Sequence, residues 1–269
     1  NPEFLREGSA IQDFMEPDRI VLGYEDNKTL SLLKKLYKSW NCDKIFVNTR
    51  TAEMIKYANN SLLALQISAA NELANIVSGI GGIDISEVMN GVYADKRWSP
   101  RTKSNKRISP EILTYLAPGA GFGGSCLPKD LQALCSRSSE IGVETKIFNA
   151  VLAVNENQPY QIINILERSL NGLDNKKILL LGLAFKNGTN DIRGSVSLKI
   201  ISYLLKNNVQ IYAHDPIAID SAMNIMDSHN NLSLINDWEK ELSSIDAVLI
   251  IIKSKEYKKL ASSINRDQL

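Results

Sequence analysis

The sequence predicts an α/β protein, in which a central helical domain precedes a domain built on a doubly wound parallel sheet. Three observations support this prediction. After residue 176, apolar runs of strand length alternate with helical patterns, as in parallel sheets covered by helices. A long helical pattern covers residues 51–79, and a shorter α/β pattern opens the chain. With 269 residues, 44% of them hydrophobic, the chain can bury the cores of two domains.

The opening residues have the pattern of the last part of an α/β unit. Residues 19–22 and 44–47 are short β-rich runs, and residues 29–40 between them have the apolar spacing of a helix. We therefore expect two strands joined by one helix before residue 50.

The longest predicted helix begins at Thr51 as its N-cap and ends at Gly79. Its apolar residues recur on several faces, at Ile55, Leu62, Leu63, Ile67, Leu73 and Ile76. Such a helix is buried on several sides, so we expect it at a domain or subunit interface. Further helices are predicted at residues 84–90, 129–141 and 147–170, with a mobile basic loop at residues 98–109.

The sheet domain is predicted to follow a linker at residues 171–175. Its expected strands are residues 177–183, 209–213 and 247–252, and its expected helix is residues 195–206. Sequential strands joined through helices predict a parallel sheet.

Charge and cysteine content exclude several classes of protein. The formal net charge of +1 gives no global field for nucleic acid or an anionic membrane, and residues 178–185, the longest apolar run, cannot span a bilayer. Three cysteines are too few for a disulfide framework, so we expect a cytoplasmic protein without a signal peptide. With two histidines and no Cys-x-x-Cys pair, no metal site is expected.

"GFGGSCLPKD", residues 121–130, places Cys126 behind three glycines and just before Pro128 and Lys129. Glycines allow a ligand to approach the backbone closely, and proline is typical of the first turn of a helix. The positive end of that helix, with Lys129 nearby, would favour the thiolate of Cys126, which is the nucleophilic form. The alternative is a small, inert packing residue, and spacing alone does not decide between the two.

Two pairs of polar residues have helical spacing. Lys56 and Asn60 are four residues apart, so they share one helix face and could stabilise an oxyanion or alkoxide. Glu3 and Glu7 have the same spacing and could serve as a base and a cofactor contact. On spacing alone, exposed surface pairs are the simpler interpretation of both.

"GLAFKNGTNDIRGS", residues 182–195, follows an apolar strand and precedes a helix. Ligands of open α/β sheets bind outside the carboxyl ends of the strands, so Lys186 and Arg193 could bind phosphates there. The stretch has no G-x-G-x-x-G pattern, so it does not indicate a dinucleotide.

Four stretches make the chain resemble the nucleotide-sugar dehydrogenases, which include the UDP-glucose and GDP-mannose dehydrogenases. They occur in the order of that family and at closely similar spacings, as "NPEFLREGSA…PDRIVLG", "KYANNSLLA", "GFGGSCLPKD" and "GLAFKNGTNDIRGS". The similarity covers nearly the whole chain, and the cysteine stretch is its most specific part. It implies an N-terminal NAD-binding Rossmann domain, a central helical dimerisation domain and a C-terminal Rossmann-like domain that binds the nucleotide sugar.

By this resemblance, residues 1–49 are the remnant of the NAD-binding domain, residues 50–170 the central domain and residues 171–269 a truncated C-terminal domain. The glycine fingerprint of the first domain and a late arginine of the last are not in this sequence. We therefore expect a fragment that is inactive by itself.

The resemblance also implies catalytic roles in a four-electron oxidation of a sugar C6 alcohol to a carboxylate, with two NAD+. Cys126 would be the nucleophile, forming a thiohemiacetal and then a thioester, since a thioester both forms and hydrolyses readily. Lys56, with Asn60 and Asp130, would stabilise the alkoxide and order water. Glu3 would be the base that activates water for hydrolysis of the thioester.

Further residues are implied as ligand contacts by the same resemblance. Those for the nucleotide sugar are Phe4, Leu5, Arg107, Tyr115, Phe122, Gly123, Phe185 and Lys186. Those for NAD are Glu7, Lys129 and Arg193. Arg107, in "KRIS", resembles a loop arginine that reaches a neighbouring subunit in the family, although its spacing to Cys126 is longer here.

The expected substrate is UDP-glucose, with GDP-mannose as the alternative, because "GSCLPKD" occurs in both subfamilies. A different possibility is a non-catalytic dimerisation and sugar-nucleotide-binding module. A homodimer or higher homo-oligomer is expected through the helix at residues 51–79, and neither nucleic acid nor membrane is expected as a partner.

Overall fold

The computed structural model describes residues 1–226 and 228–260. It divides the chain into two compact units, Asn1–Leu62 and Leu63–Leu269, and the boundary falls within a long helix. In both units, strands of a parallel sheet alternate with helices along the chain, so the predicted α/β class is confirmed.

The N-terminal unit contains a two-stranded parallel sheet. Strands β1 (Arg19–Gly23) and β2 (Asp43–Val47) pair in parallel. They are preceded by helix α1 (Ala10–Met15), which the sequence analysis did not predict, and joined by α2 (Asn27–Leu36). Helix α2 begins two residues before the predicted Thr29, because the Asp26 side chain accepts a hydrogen bond from the Thr29 backbone N–H at 2.7 Å and so caps the first turn.

The long helix α3 (Thr49–Ile80) differs from its prediction at both ends. Thr51 is not the N-cap. Asn48, three residues earlier, takes that position, because its Oδ1 accepts the Thr51 backbone N–H at 2.8 Å. Gly79 does not stop the helix either. The helix continues to Ile80, and it is followed by Gly81 in the left-handed conformation, with a φ of +79°, which is typical of the residue after a helix end.

Three helices form the central part of the larger unit. Asp84 caps α4 (Ile85–Tyr93), and α5 (Leu127–Glu140) and α6 (Lys146–Leu170) follow the predicted order. Helices α5 and α6 pack with α3 around a cluster of buried side chains, Ala64, Phe122, Leu131 and Val151, whereas Met89 of α4 packs in a separate cluster with Leu113 and Leu116. Residues 98–109, predicted as a loop, contain one antiparallel bridge between Arg101 and Arg107.

The C-terminal part of this unit is a four-stranded parallel sheet in the order β5-β4-β3-β6. The strands are β3 (Lys177–Leu181), β4 (Gln210–His214), β5 (Leu232–Leu234) and β6 (Ala247–Ile250). Helices α7 (Val196–Lys206) and α8 (Ile219–Ile225) accompany them, and short 3₁₀ helices occur at Glu111–Leu116, Trp238–Ser244 and Glu256–Lys259. Strand β3 ends two residues earlier than predicted, because Gly182 turns the chain with a φ of +99°.

A single buried carboxylate connects the carboxyl ends of β3 and β4. Asp215, which is 5% exposed, accepts the backbone N–H groups of Leu183 at 2.8 Å and Ala184 at 3.1 Å through Oδ2. Its Oδ1 accepts those of Ile217 at 2.9 Å and Ala218 at 2.8 Å. Asp215 therefore fixes the path of the chain as it leaves both strands.

We expect Asp215→Asn to lower the free energy of unfolding by about 2–4 kcal/mol, measured by urea denaturation. The new amide NH2 would face backbone donors and leave buried N–H groups without acceptors. Asp220→Asn, on the exposed first turn of α8, is the control and should cost less than about 1 kcal/mol. Equal losses in the two variants would contradict this role of Asp215.

Candidate active site

Cys126 lies at the N-terminus of α5. It is the residue before Leu127, its carbonyl oxygen accepts the Asp130 backbone N–H at 3.0 Å, and Pro128 stands in the first turn. The predicted position at a helix N-terminus is thus confirmed. The thiol is exposed, with Ser125 Oγ at 3.8 Å, whereas Cys42 and Cys135 are half-buried. An exposed thiol is available to a reactant and contributes little to packing.

Asp130 is a buried carboxylate one turn after Cys126. It is 3% exposed, and Lys129 Nζ lies 3.3 Å from its Oδ1. The charge of this carboxylate is therefore partly balanced by an ammonium group that is itself largely exposed.

The glycines before Cys126 make room for another part of the protein. The cysteine loop (residues 119–126) packs against the β3–α7 loop (residues 182–195), and a Cβ on Gly123 would collide with the carbonyl oxygen of Gly194. Gly124 has a φ of +75°, and a Cβ there would lie 2.7 Å from Cε2 of Phe185. The close approach that the sequence analysis assigned to a ligand is, at these two glycines, an approach of two loops.

Phe122 has a different environment from the one expected of a pocket residue. Its ring is 6% exposed and packs in the core cluster with Leu131 and Val151. The ring therefore contributes to the core, and its place in the wall of the ligand pocket stays a prediction. Tyr115, in the 3₁₀ helix Glu111–Leu116, is half-buried.

The β3–α7 loop presents two cationic side chains. Lys186 Nζ lies 5.6 Å from the ring centroid of Phe185. The Arg193 guanidinium makes a two-pronged contact with Asp191, with Nη2 at 2.7 Å from Oδ2, and this hydrogen bonding lowers the pKa of Asp191. Arg193 is therefore oriented by a carboxylate of its own loop, a residue that the sequence analysis did not consider.

A depression lies at the carboxyl ends of β3, β4 and β6, at the edge where the sequence predicts a ligand. Residues that line it include Gly182, Lys186, Thr189, Asp215, Ile252 and Tyr257. Asp215 was missed as a member of this site, and the available signal was an aspartate directly after a predicted strand.

Burial shifts the pKa values of two groups beside this depression, in each case against the charged form. The Tyr257 hydroxyl donates to the His214 carbonyl oxygen at 3.1 Å and lies 3.1 Å from His214 Nδ1. Burial lowers the pKa of His214 and raises the pKa of Tyr257.

The N-terminal unit contains a second group of predicted site residues. Lys56 Nζ donates to Glu3 Oε2 at 2.7 Å and to the Glu3 carbonyl oxygen at 2.8 Å, and Glu3 Oε1 accepts the Leu5 backbone N–H at 2.8 Å. The Arg19 guanidinium lies 4.4 Å from the ring centroid of Phe4. Two of the five predicted catalytic residues are thus in direct contact.

The other two predicted site residues of this unit, Asn60 and Glu7, differ in exposure. Asn60 is half-buried on α3, with the Asn59 amide nitrogen 3.5 Å from its side-chain oxygen. Glu7 is exposed.

Arg107 is engaged within its own chain. Its Nη1 donates to the carbonyl oxygens of Ala94 at 2.7 Å and Tyr93 at 3.2 Å, at the C-terminal end of α4. A cation is favourable there, because the last carbonyl groups of a helix have no helical partners. In this structure Arg107 therefore caps a helix, which the sequence analysis did not foresee.

Residues 1–226 and 228–260 contain no group of three or more His, Cys, Asp or Glu side chains that could hold a metal ion. The helices of the same residues are all too short or too polar to cross a membrane.

We expect Gly123→Ala to lower the free energy of unfolding by about 1–3 kcal/mol, because the new methyl group would force the two loops apart. Gly119→Ala is the matched control within the same loop. No atom lies within 4 Å of a Cβ built there, so its effect should be below about 1 kcal/mol. Urea denaturation measures both, and a harmless Gly123→Ala would contradict the contact between the loops.

Three family models match the chain in sequence order. The NAD binding domain of the UDP-glucose/GDP-mannose dehydrogenase family matches residues 1–41, its central domain residues 50–157 and its UDP binding domain residues 179–268. Together they cover most of the chain.

Individual proteins agree with these matches. The chain is 36% identical to a UDP-glucose 6-dehydrogenase of Rickettsia conorii and 37% identical to the UDP-glucose 6-dehydrogenase TuaD of Bacillus subtilis, over 97% of its length in each case. It covers 57% and 53% of those proteins, so it spans little more than half of their length.

A solved structure is similar as well. It is a UDP-glucose dehydrogenase from Pyrobaculum islandicum, with a TM-score of 0.84 and 37% identity over 96% of this chain and 56% of the other. With its glycine-flanked Cys126 at a helix N-terminus, its parallel sheets and its matches to all three domain models, the chain belongs to the UDP-glucose/GDP-mannose dehydrogenase family.

Proposed function

We propose that this protein takes part in the NAD-dependent oxidation of the C6 alcohol of UDP-glucose to a carboxylate. The main observation in support is the exposed thiol of Cys126 at the N-terminus of α5, on a loop packed against the loop that contains Lys186. An accessible nucleophile beside a cationic loop suits a substrate with a diphosphate and a reacting carbon.

Cys126 has the central role in this proposal. The first oxidation removes a hydride and a proton from the C6 alcohol and leaves an aldehyde. The Cys126 sulfur adds to the aldehyde carbon to give a thiohemiacetal, and a second hydride loss gives a thioester. Water then breaks the C–S bond, which releases the carboxylate and restores the thiol. NAD+ supplies the hydride acceptor in both oxidations.

Four other residues have proposed roles around these steps. Lys56, with Asn60 and Asp130, stabilises the negative oxygen that develops at C6 and orders water. Glu3 accepts the proton of the attacking water. The 2.7 Å contact between Lys56 Nζ and Glu3 Oε2 supports a shared task, since it holds the two side chains together.

The cofactor and substrate contacts are proposed from the chemistry of the side chains. Glu7, Lys129 and Arg193 are exposed, and their charges suit the ribose hydroxyls and the diphosphate of NAD. Lys186 suits the diphosphate of the nucleotide sugar. Further proposed substrate contacts are Phe4, Leu5, Arg107, Tyr115, Gly123 and Phe185.

We propose three functional segments, residues 1–49, 50–170 and 171–269, for cofactor, dimerisation with catalysis, and nucleotide sugar. The order of the three family models supports this division. UDP-glucose is favoured over GDP-mannose because the similar proteins described above are named for UDP-glucose.

We expect the full-length gene product to form two NADH per UDP-glucose, and Cys126→Ala in it to lower that rate by roughly a thousandfold or more. Cys135→Ala, also on α5 but half-buried, is the control and should keep the activity. UDP-glucose should also shield Cys126 from iodoacetamide, as read by mass spectrometry. NADH formation from no nucleotide sugar would contradict the oxidation. Shielding without NADH would instead favour the non-catalytic binding module.

A homodimer through α3 is the second part of the proposal. Leu73, Ile76 and Ile80 are 45%, 53% and 67% exposed and lie along one face of the helix, where a second copy could cover them. We expect Ile76→Lys to shift the protein toward monomer in sedimentation velocity. Ile141→Lys, at an equally exposed position after α5, should not. A monomeric unsubstituted protein would contradict this interface.

A further inference from the structure

Three amide side chains bind the backbone at the start of the cysteine loop. Gly119 N–H donates to Asn71 Oδ1 at 2.8 Å, and Gln158 Nε2 donates to the Gly119 carbonyl oxygen at 2.9 Å. Phe122 N–H donates to Asn155 Oδ1 at 2.7 Å, and Asn155 Nδ2 donates to the Phe122 carbonyl oxygen at 2.9 Å. Both polar backbone groups of two loop residues are therefore satisfied by side chains of α3 and α6.

Two of these amides, Asn71 and Gln158, are buried, which is costly unless they form hydrogen bonds, and Asn155 is half-buried. Asn71 is 0% and Gln158 4% exposed, and Asn75 Nδ2 donates to Gln158 Oε1 at 3.0 Å, which fixes the orientation of that amide. The Asn71 amide nitrogen is buried without a hydrogen-bond partner among the described residues. An apolar residue at position 71 would avoid that cost, so the benefit of Asn71 is the acceptor that it offers to Gly119.

The loop sequence is matched to the amides. Gly121, between the two bound residues, has a φ of +102°, and a Cβ there would lie 2.6 Å from Asn155 Oδ1. Only a glycine permits both this conformation and this approach of Asn155. Since Asn155 accepts from Phe122 in the same place, the glycine and the amide work as one unit.

The bound segment leads directly to the nucleophile. Cys126 follows Phe122 by four residues, and its Sγ lies 3.8 Å from Ser125 Oγ, at the distance of a weak hydrogen bond. The position of the thiol therefore depends on the backbone that leads to it. We propose that the amide clamp (Asn71, Asn155 and Gln158) consists of positioning residues that act on Cys126 through the cysteine loop. This inference rests on the proposed role of Cys126 as the nucleophile.

The test compares two neighbouring residues of α6. Asn155→Leu removes both hydrogen bonds to Phe122 and keeps the number and branching of the side-chain heavy atoms, and Asn157→Leu makes the same change at an exposed amide two residues away. Asn155→Asp keeps the acceptor for Phe122 N–H and should behave as a partial rescue. The measurements are hydrogen–deuterium exchange of peptides covering residues 119–126, the iodoacetamide rate of Cys126, and the kcat and KM for NADH formation from UDP-glucose.

We expect Asn155→Leu to speed exchange in residues 119–126 by about tenfold or more, because two hydrogen bonds are lost. The Cys126 alkylation rate should change by about threefold or more, since a displaced thiol differs in its access to the reagent. The kcat should fall by about tenfold to a hundredfold with a much smaller change of KM, as for a misplaced reacting group. Asn155→Asp should lie between Asn155→Leu and the unsubstituted protein, and Asn157→Leu should match the latter.

Unchanged exchange and alkylation in Asn155→Leu would overturn the proposal, as would a lower melting temperature without any change at Cys126. If Asn155→Leu does not fold, Asn155→Asp decides in the same way with smaller expected effects. If the unsubstituted protein forms no NADH, the proposed function fails, while exchange and alkylation still decide whether the amides position Cys126.

Discussion

Close contact between two glycine-containing loops is the constraint on which the rest of the candidate site depends. At Gly123 and Gly124, the cysteine loop approaches Gly194 and Phe185 so closely that a single added methyl group would collide with them. Because no side chain intervenes, a displacement of either loop is transmitted directly to the other. The loop of Cys126, the proposed nucleophile, is thus in direct contact with the loop that follows strand β3 of the C-terminal sheet.

The position of the thiol depends on contacts that hold the backbone of the cysteine loop. Amide side chains hold the loop at Gly119 and Phe122, the contact with the β3–α7 loop holds its middle, and α5 begins directly after Cys126. This arrangement leaves the sulfur exposed while its location is fixed. A nucleophile needs both properties, since exposure admits the substrate and a fixed position lowers the entropic cost of reaction.

The sequence predicted the elements better than their mutual contacts. Apolar spacing and caps located α5, α6 and most of the parallel sheet, because these signals are local. The Asn48 cap was missed since Thr51 offered an equally good local signal. Strand β5 has only three residues, too few for a pattern. The contacts of Phe122 and Gly123 within the protein were not predicted, because a sequence shows that a glycine allows close approach but not which atoms approach it. The partners, α6 and the β3–α7 loop, are distant in sequence.

The β3–α7 loop connects Lys186, a proposed substrate contact, with the loop that contains Cys126. The β3–α7 loop is fixed at its start by Asp215, internally by the pair of Arg193 and Asp191, and along its length by the cysteine loop. Lys186 projects from this restrained loop, directly after the Phe185 that packs on Gly124. In the proposed function, an anionic ligand at Lys186 is held by a loop that packs against the loop of Cys126, so the contact between the two loops orients the substrate toward the thiol.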